Sequence, residues 1–177
     1  MKYGEAIREA LFQELKADKS VVMFGEDIRY NLYGYTEGLY KEFGNRVIDV
    51  PLMENTIVGM AIGASLLGLR TIVDLTVANF LYTAMDQIVN VASKMRAMNN
   101  SEVPITIMCA EMYEGDNGPQ HSDRPHEMFS MIPGLKVVTP LCPQEAYSML
   151  RASIQDHDPV IYFSDRSLFY NEEKVKI

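Results

Sequence analysis

A chain of 177 residues is long enough to bury one sizeable core, and 47% hydrophobic with 23% charged residues excludes a disordered tail or a fibre. Its 24 acidic against 16 basic residues give a formal charge of −8, which repels phosphate backbones and anionic lipid and so argues against nucleic-acid and membrane partners. One domain over residues 1–170 is expected, with 171–177 a tail or the start of a linker to a further domain that this sequence does not include.

From Tyr3 to Asp18, apolar residues recur at Ala6, Ile7, Ala10, Leu11 and Leu15 with polar residues between, the period of an amphipathic helix. Ser20 to Gly25 is a short apolar strand, and a loop rich in Tyr, Gly and Asn then leads to a short helix over 37–43. Arg46 to Val50 is a second strand, stopped by Pro51. Met53 to Leu67 is apolar all round, which predicts a helix buried on every side, with Gly59, Gly63 and Gly68 marking close approach by a neighbour. Thr71 to Leu75 is a strand, and Ala78 to Met98 one long helix striped by Leu81, Ala84, Met85, Ile88, Ala92 and Met95. Pro104 to Cys109 is a strand, followed by a polar loop from Glu111 to Arg124 and a short helix near Glu127. Leu135 to Val138 is a strand, Pro143 to Gln155 a helix with proline in its first turn, and Val160 to Phe163 a last strand. This alternation predicts an α/β fold, a three-layer, mainly parallel sheet with helices on both faces.

Such sheets bind ligands outside the carboxyl ends of their strands. The residues there are Glu26-Asp27, Pro51 to Asn55, Thr76 to Phe80, Glu111 to Arg124, Pro140 and Ser164 to Arg166. Glu54 falls in the first turn of the apolar helix; it is read either as a carboxylate complementing the positive helix end or as a functional acid. The loop Glu114 to His126 gathers glycines, amides and histidine, suited to ligand contact. His121, Asp123, His126 and Glu127 do not make a metal cluster, because Pro125 interrupts the helical spacing that paired ligands need. His126 is read as an exposed residue at the start of the next helix. No glycine-rich phosphate loop is present, so nucleotide binding is not expected. Cys109 and Cys142 lack zinc or redox spacing and read as small buried hydrophobes, for which a reducing cytoplasm fits. Met1 to Glu5 lacks an apolar signal core, and the apolar stretch Ile57 to Leu69 is shorter than the ~20 residues a membrane span needs.

The order of motifs resembles the beta chain of the thiamine-diphosphate-dependent 2-oxo acid and acetoin dehydrogenases, in its transketolase-like pyrimidine-binding domain. The resemblance rests on Phe24-Gly25-Glu26-Asp27, Arg46 to Glu54, Gly59 to Arg70, Asp86 to Asn90, Gln120-His121-Ser122 and Pro133 to Pro140, in order and nearly end to end. It implies that Glu54 hydrogen-bonds the aminopyrimidine of thiamine diphosphate and shifts it to the imino tautomer, helped by a proton affinity raised by apolar neighbours. It implies that His121 transfers a proton or steadies charge, and that Thr76 and Phe80 help form the cofactor pocket. Phe80 reads equally as a ring stacked on the pyrimidine or as a core phenylalanine.

The sequence also departs from the family. Met53 stands where serine or alanine is usual, and Thr76 where a larger residue is frequent. The acids Glu111, Glu114 and Asp116 in the loop before His121 disfavour an anionic 2-oxo acid. Gly115-Asp116-Asn117-Gly118 is not the family's motif for Mg2+ and diphosphate, which the resemblance puts on a partner alpha chain. The expected protein is therefore one half of a shared site, in a homodimer, heterodimer or heterotetramer, with a lipoyl acyltransferase as a further partner. A split transketolase-like carboligase and a non-catalytic assembly module are the alternatives.

Overall fold

The computed structural model describes residues 1–112 and 118–177. Six strands form one sheet: β1 (Val21–Gly25), β2 (Val47–Asp49), β3 (Arg70–Val77), β4 (Ile105–Glu111), β5 (Lys136–Val138) and β6 (Val160–Asp165). The order is β2-β1-β3-β4-β6-β5 and every ladder is parallel. The α-helices are α1 (Tyr3–Ala17), α2 (Leu39–Phe43), α3 (Glu54–Leu66), α4 (Met95–Asn99), α5 (His126–Ser130) and α6 (Pro143–Gln155).

Side chains alternate across a strand, so each central strand feeds two cores. Ile72, Met108 and Tyr162 face one side, where α1 and α6 bring Ile7, Leu11, Leu15, Leu150 and Ile154. Val73, Ile107 and Phe163 face the other, against Ile57, Val58 and Ile62 of α3 and against Leu81 and Ile88. Between α1 and α6 the buried Glu14 carboxylate accepts from Arg151 Nε at 2.5 Å and from Gln155 Nε2 at 3.1 Å. Arg46 ties the end of α1 to β1 by donating to the carbonyls of Leu15, Asp18 and Val21. The last residues return to the first helix: Tyr3 N–H donates to Asn171 O, Gly4 N–H to Phe169 O, and the Tyr3 and Phe169 rings stack 5.8 Å apart.

Three expectations are corrected. Helix α3 is not buried on every side. Its core face is Ile57, Val58, Ala61, Ile62 and Ser65, while Asn55, Thr56, Met60, Gly63 and Leu66 are exposed and Leu67, just beyond it, is 86% exposed. Gly59 lies close to Gln87, but among the described residues nothing lies within 4 Å of a Cβ placed at Gly63. Apolar composition marks surfaces that avoid water, whichever chain covers them.

Residues 78–98 are not one regular helix. They run as a 3-10 segment (Ala78–Ala84), a π turn (Gln87–Val91), a second 3-10 turn (Ala92–Lys94) and then the start of α4. The π turn absorbs an extra residue while Leu81, Ala84, Ile88 and Ala92 all stay in the core. Beside it, the Gly134 backbone presses on Ser93 so closely that an added Cβ would lie 2.0 Å from the Ser93 carbonyl oxygen. Cys109 is buried as expected, but Cys142 is only half-buried, at the cap of α6; both thiols are free. Among the described residues no helix is long and apolar enough to cross a membrane.

Candidate functional site

A cavity of about 440 Å3 opens at the carboxyl ends of β1 and β3. The strand ends and the turns after them build it: Glu26 and Asp27 follow β1, Thr76 and Val77 close β3, and Phe80 sits in the 3-10 turn beyond. Leu52 before α3 and Leu32 with Tyr33 from the loop after β1 add apolar walls, and His121 closes the cavity from the 3-10 turn Pro119–His121. Three of the four residues singled out from the sequence, Thr76, Phe80 and His121, thus meet in one place. Leu32 and Tyr33 were missed, because they come from a loop without periodicity; aromatic and apolar residues just beyond a strand end are the signal that marks them.

The His121 ring meets Phe80 edge to face, with centroids 5.5 Å apart and planes 77° from each other. Its Nδ1 is buried and has no hydrogen-bond partner among the described residues. The turn is held to its neighbours: Ser122 Oγ donates to Gly118 O at 2.9 Å, Asp123 N–H donates to Asn79 Oδ1 at 3.3 Å, and Tyr82 O–H donates to Asp123 Oδ2 at 3.1 Å. A half-buried imidazole with a buried, unused nitrogen is a costly arrangement in an empty pocket and a useful one in a pocket that receives a polar ligand.

Glu54 begins α3, with Met53 as its uncapped N-cap. It stands beside the cavity rather than among the lining residues: partial burial, with the charges of Asp27 and Glu54 adding to it, pushes the Glu26 carboxyl up. The apolar neighbours expected to enclose Glu54 do not do so within this chain, since Leu52 is 59% and Met53 47% exposed.

Around the polar loop, Glu111 is buried at the end of β4, and His126 Nδ1 lies 2.6 Å from its Oε1. His126 is therefore half-buried and anchored rather than simply exposed, because α5 packs its first turn over Phe163. No group of three or more metal-binding side chains occurs among the described residues. The readings placed on Glu114, Gly115, Asp116 and Asn117 lie outside the described residues.

A parallel sheet with a cavity at the carboxyl ends of its strands, lined by an imidazole facing a phenyl ring, defines an α/β domain of the kind that binds ligands at that edge. Residues 1–171 match the family described as transketolase, pyrimidine binding domain, and the chain belongs to that family. It is 35% identical over 174 residues to the 2-oxoisovalerate dehydrogenase subunit beta of Bacillus subtilis (strain 168), covering 96% of this chain and 53% of that one. It is 38% identical to the acetoin:2,6-dichlorophenolindophenol oxidoreductase subunit beta of Cupriavidus necator, covering 96% of this chain and 54% of that one. It is 39% identical to the pyruvate dehydrogenase E1 component subunit beta of Gracilaria tenuistipitata var. liui, covering 94% and 53%. The fold is shared with a solved split gene transketolase, inactive beta4 tetramer, at a TM-score of 0.79 and 18% identity over 98% of this chain and 52% of that one. The chain spans about half the length of the curated relatives it matches.

Proposed function

We propose that this chain supplies the aminopyrimidine half of a thiamine-diphosphate site completed by an alpha chain. It works there as the beta subunit of a 2-oxo acid dehydrogenase, an oxidoreductase that decarboxylates a 2-oxo acid, or cleaves acetoin, and passes on the acyl unit. The observation that carries this reading is the cavity itself, where Phe80 presents a ring and His121 an unused buried nitrogen. The curated relatives support it, since they carry the names of pyruvate, 2-oxoisovalerate and acetoin enzymes.

The residues fit a flat, polar heterocycle. Phe80, Leu32 and Leu52 give it apolar faces, and Thr76 closes the wall at the end of β3. Glu54, at the start of α3, is the acid that shares a proton with the ring nitrogen. His121 Nδ1, on a ring packed edge to face on Phe80, offers a hydrogen-bond site for charge that develops on the substrate. When bound, thiamine diphosphate supplies a carbon nucleophile that stabilises the electron pair left by decarboxylation. Mg2+ and the diphosphate are held mainly by the alpha chain, because this chain has neither the motif nor a described cluster for them. The exposed apolar residues Met60 of α3 and Leu67 just beyond it support a partner surface next to the site. The assembly is a dimer or heterotetramer in the cytoplasm, with a lipoyl acyltransferase as acceptor.

One observation favours a second reading. Glu26 and Asp27 line the cavity with acid, which disfavours an anionic 2-oxo acid and suits the aldehyde acceptor of a split transketolase-like carboligase. Calorimetric titration of thiamine diphosphate with Mg2+ into the chain, alone and mixed with its alpha chain, tests the site. Binding confined to the mixture and weakened by Glu54→Gln is expected; a confirmed complex that binds none would leave an assembly module. Turnover with a lipoyl acceptor against an aldehyde then separates the two enzymes.

A further inference from the structure

Beneath the cavity lies a carboxylate that the proposed chemistry does not use. Asp74 sits in β3 with 4% of its surface exposed. The Tyr35 hydroxyl donates to it, 3.1 Å from Oδ1 and 3.0 Å from Oδ2, and the Thr76 N–H donates to Oδ1 at 2.9 Å. The ionisable groups facing it are Glu26 and Asp27 after β1, Tyr33 and Tyr35 in the following loop, and Cys109 on β4. No cation contacts it among the described residues. A buried acid without a cation is expensive to keep, which directs attention to what it holds.

It holds both sides of the cavity. Thr76 has φ +66, a left-handed conformation that a β-branched residue adopts only under constraint. The strain coincides with a bulge: Asp74 is level with Met108 of β4, yet Val77 is level with Ala110, so β3 carries one residue more than its partner. That extra residue lets Thr76 line the cavity, and Asp74 accepts its N–H. On the other side, Tyr35 anchors the loop that carries Leu32 and Tyr33, two further lining residues. Gly25 keeps Asp74 in place, because a Cβ there would stand 3.0 Å from the Asp74 Cβ and carbonyl oxygen.

We propose that Asp74 is a positioning residue for this site: its ionised carboxylate holds Thr76 and the Tyr35 loop in the geometry that receives the ligand, and protonation loosens both. The ionised form accepts all three contacts. The protonated form keeps one carbonyl oxygen to accept but must also place its own O–H, so Tyr35 can no longer donate to both oxygens and either crowds Thr76 N–H on the remaining acceptor or turns to accept the new O–H. Burial raises the Asp74 carboxyl to about 6, which puts the exchange in a range where ligand affinity responds to pH. The consequence for ligand binding rests on the cofactor reading above; the hold on Thr76 does not.

The two are separated by two measurements. On the chain alone, the Thr76 amide resonance is expected to titrate near pH 6, to stop titrating in Asp74→Asn and to titrate at a different midpoint in Tyr35→Phe, which also serves if Asp74→Asn does not fold. In the mixture with the alpha chain, the dissociation constant for thiamine diphosphate with Mg2+ is expected to rise about tenfold below pH 6, and Asp74→Asn to remove that dependence. A Thr76 amide unmoved between pH 4.5 and 7.5 would overturn the proposal even where the cofactor binds. A titrating Thr76 with no cofactor binding at any pH would overturn the cofactor reading and leave the positioning role standing.

Discussion

Asp74 shows how one residue opposes stability. Its carboxyl rises from the ordinary 3.8 to about 6 through burial, so between these values the folded chain keeps a proton that the unfolded chain releases. The contribution of Asp74 to stability is therefore fullest below pH 4 and is lost as pH rises to 6, by about 3 kcal/mol at ~1.36 kcal/mol per pH unit. Asp74→Asn, which carries no titrating proton, should gain that amount on the wild type between pH 4 and 7 in urea unfolding; a constant difference would contradict it. Gly134→Ala makes a second case. Its φ of +85 and the Ser93 carbonyl oxygen 2.0 Å from an added Cβ both oppose a side chain, so a loss above about 2 kcal/mol is expected in the same measurement. At this scale the sequence is legible where residues fall just past a strand. Strand ends point to the stretches that hold Thr76, Phe80 and His121, while the resemblance singles out the residues themselves; Asp74 is marked by neither, because β3 is buried on both faces and its acid sits within an otherwise apolar run. The Glu111–His126 contact is hidden for another reason, since its partners stand 15 residues apart.

Helix α3 illustrates what periodicity reads and what it leaves out. Its apolar residues surround the axis, and only one side meets this chain's core. Leu67→Glu, at an exposed position, should change unfolding free energy by less than about 0.5 kcal/mol, while weakening association with the proposed alpha chain in sedimentation equilibrium. Loss of both folding and association would instead make Leu67 a core residue. The pair α1 and α6 gives the opposite expectation. Arg151→Met leaves Glu14 buried with one donor, Gln155, and should cost about 3 kcal/mol in denaturant unfolding. The segment 78–98 was read as one helix because the apolar stripe survives the change of winding; periodicity records which residues face inward, not how the turns are wound.

Across the whole molecule, the alternation of strands and helices is enough to give a parallel sheet with two covered faces, since neither element buries its apolar surface alone. The order of the strands is not legible: β1 lies between β2 and β3, and β6 between β4 and β5, and only the packed structure shows these neighbours. The same order sets the site, because it brings the ends of β1 and β3 together. Its edges are three-residue strands, too short to recruit a further strand readily.

The return of the last residues to the first helix bears on how the chain is made. Tyr3 donates its hydroxyl to Pro140 O, Glu14 waits for Arg151, and the stacking partner of Tyr3 is Phe169, so α1 finds its seat only after the chain as far as Phe169 has been synthesised. A nascent chain thus holds α1, with Ile7, Leu11 and Leu15 not yet packed against α6, until the residues through Phe169 have emerged from the ribosome. Timing makes that helix the segment for which a chaperone has most use, and synthesis that halts before Phe169 should yield a product that aggregates.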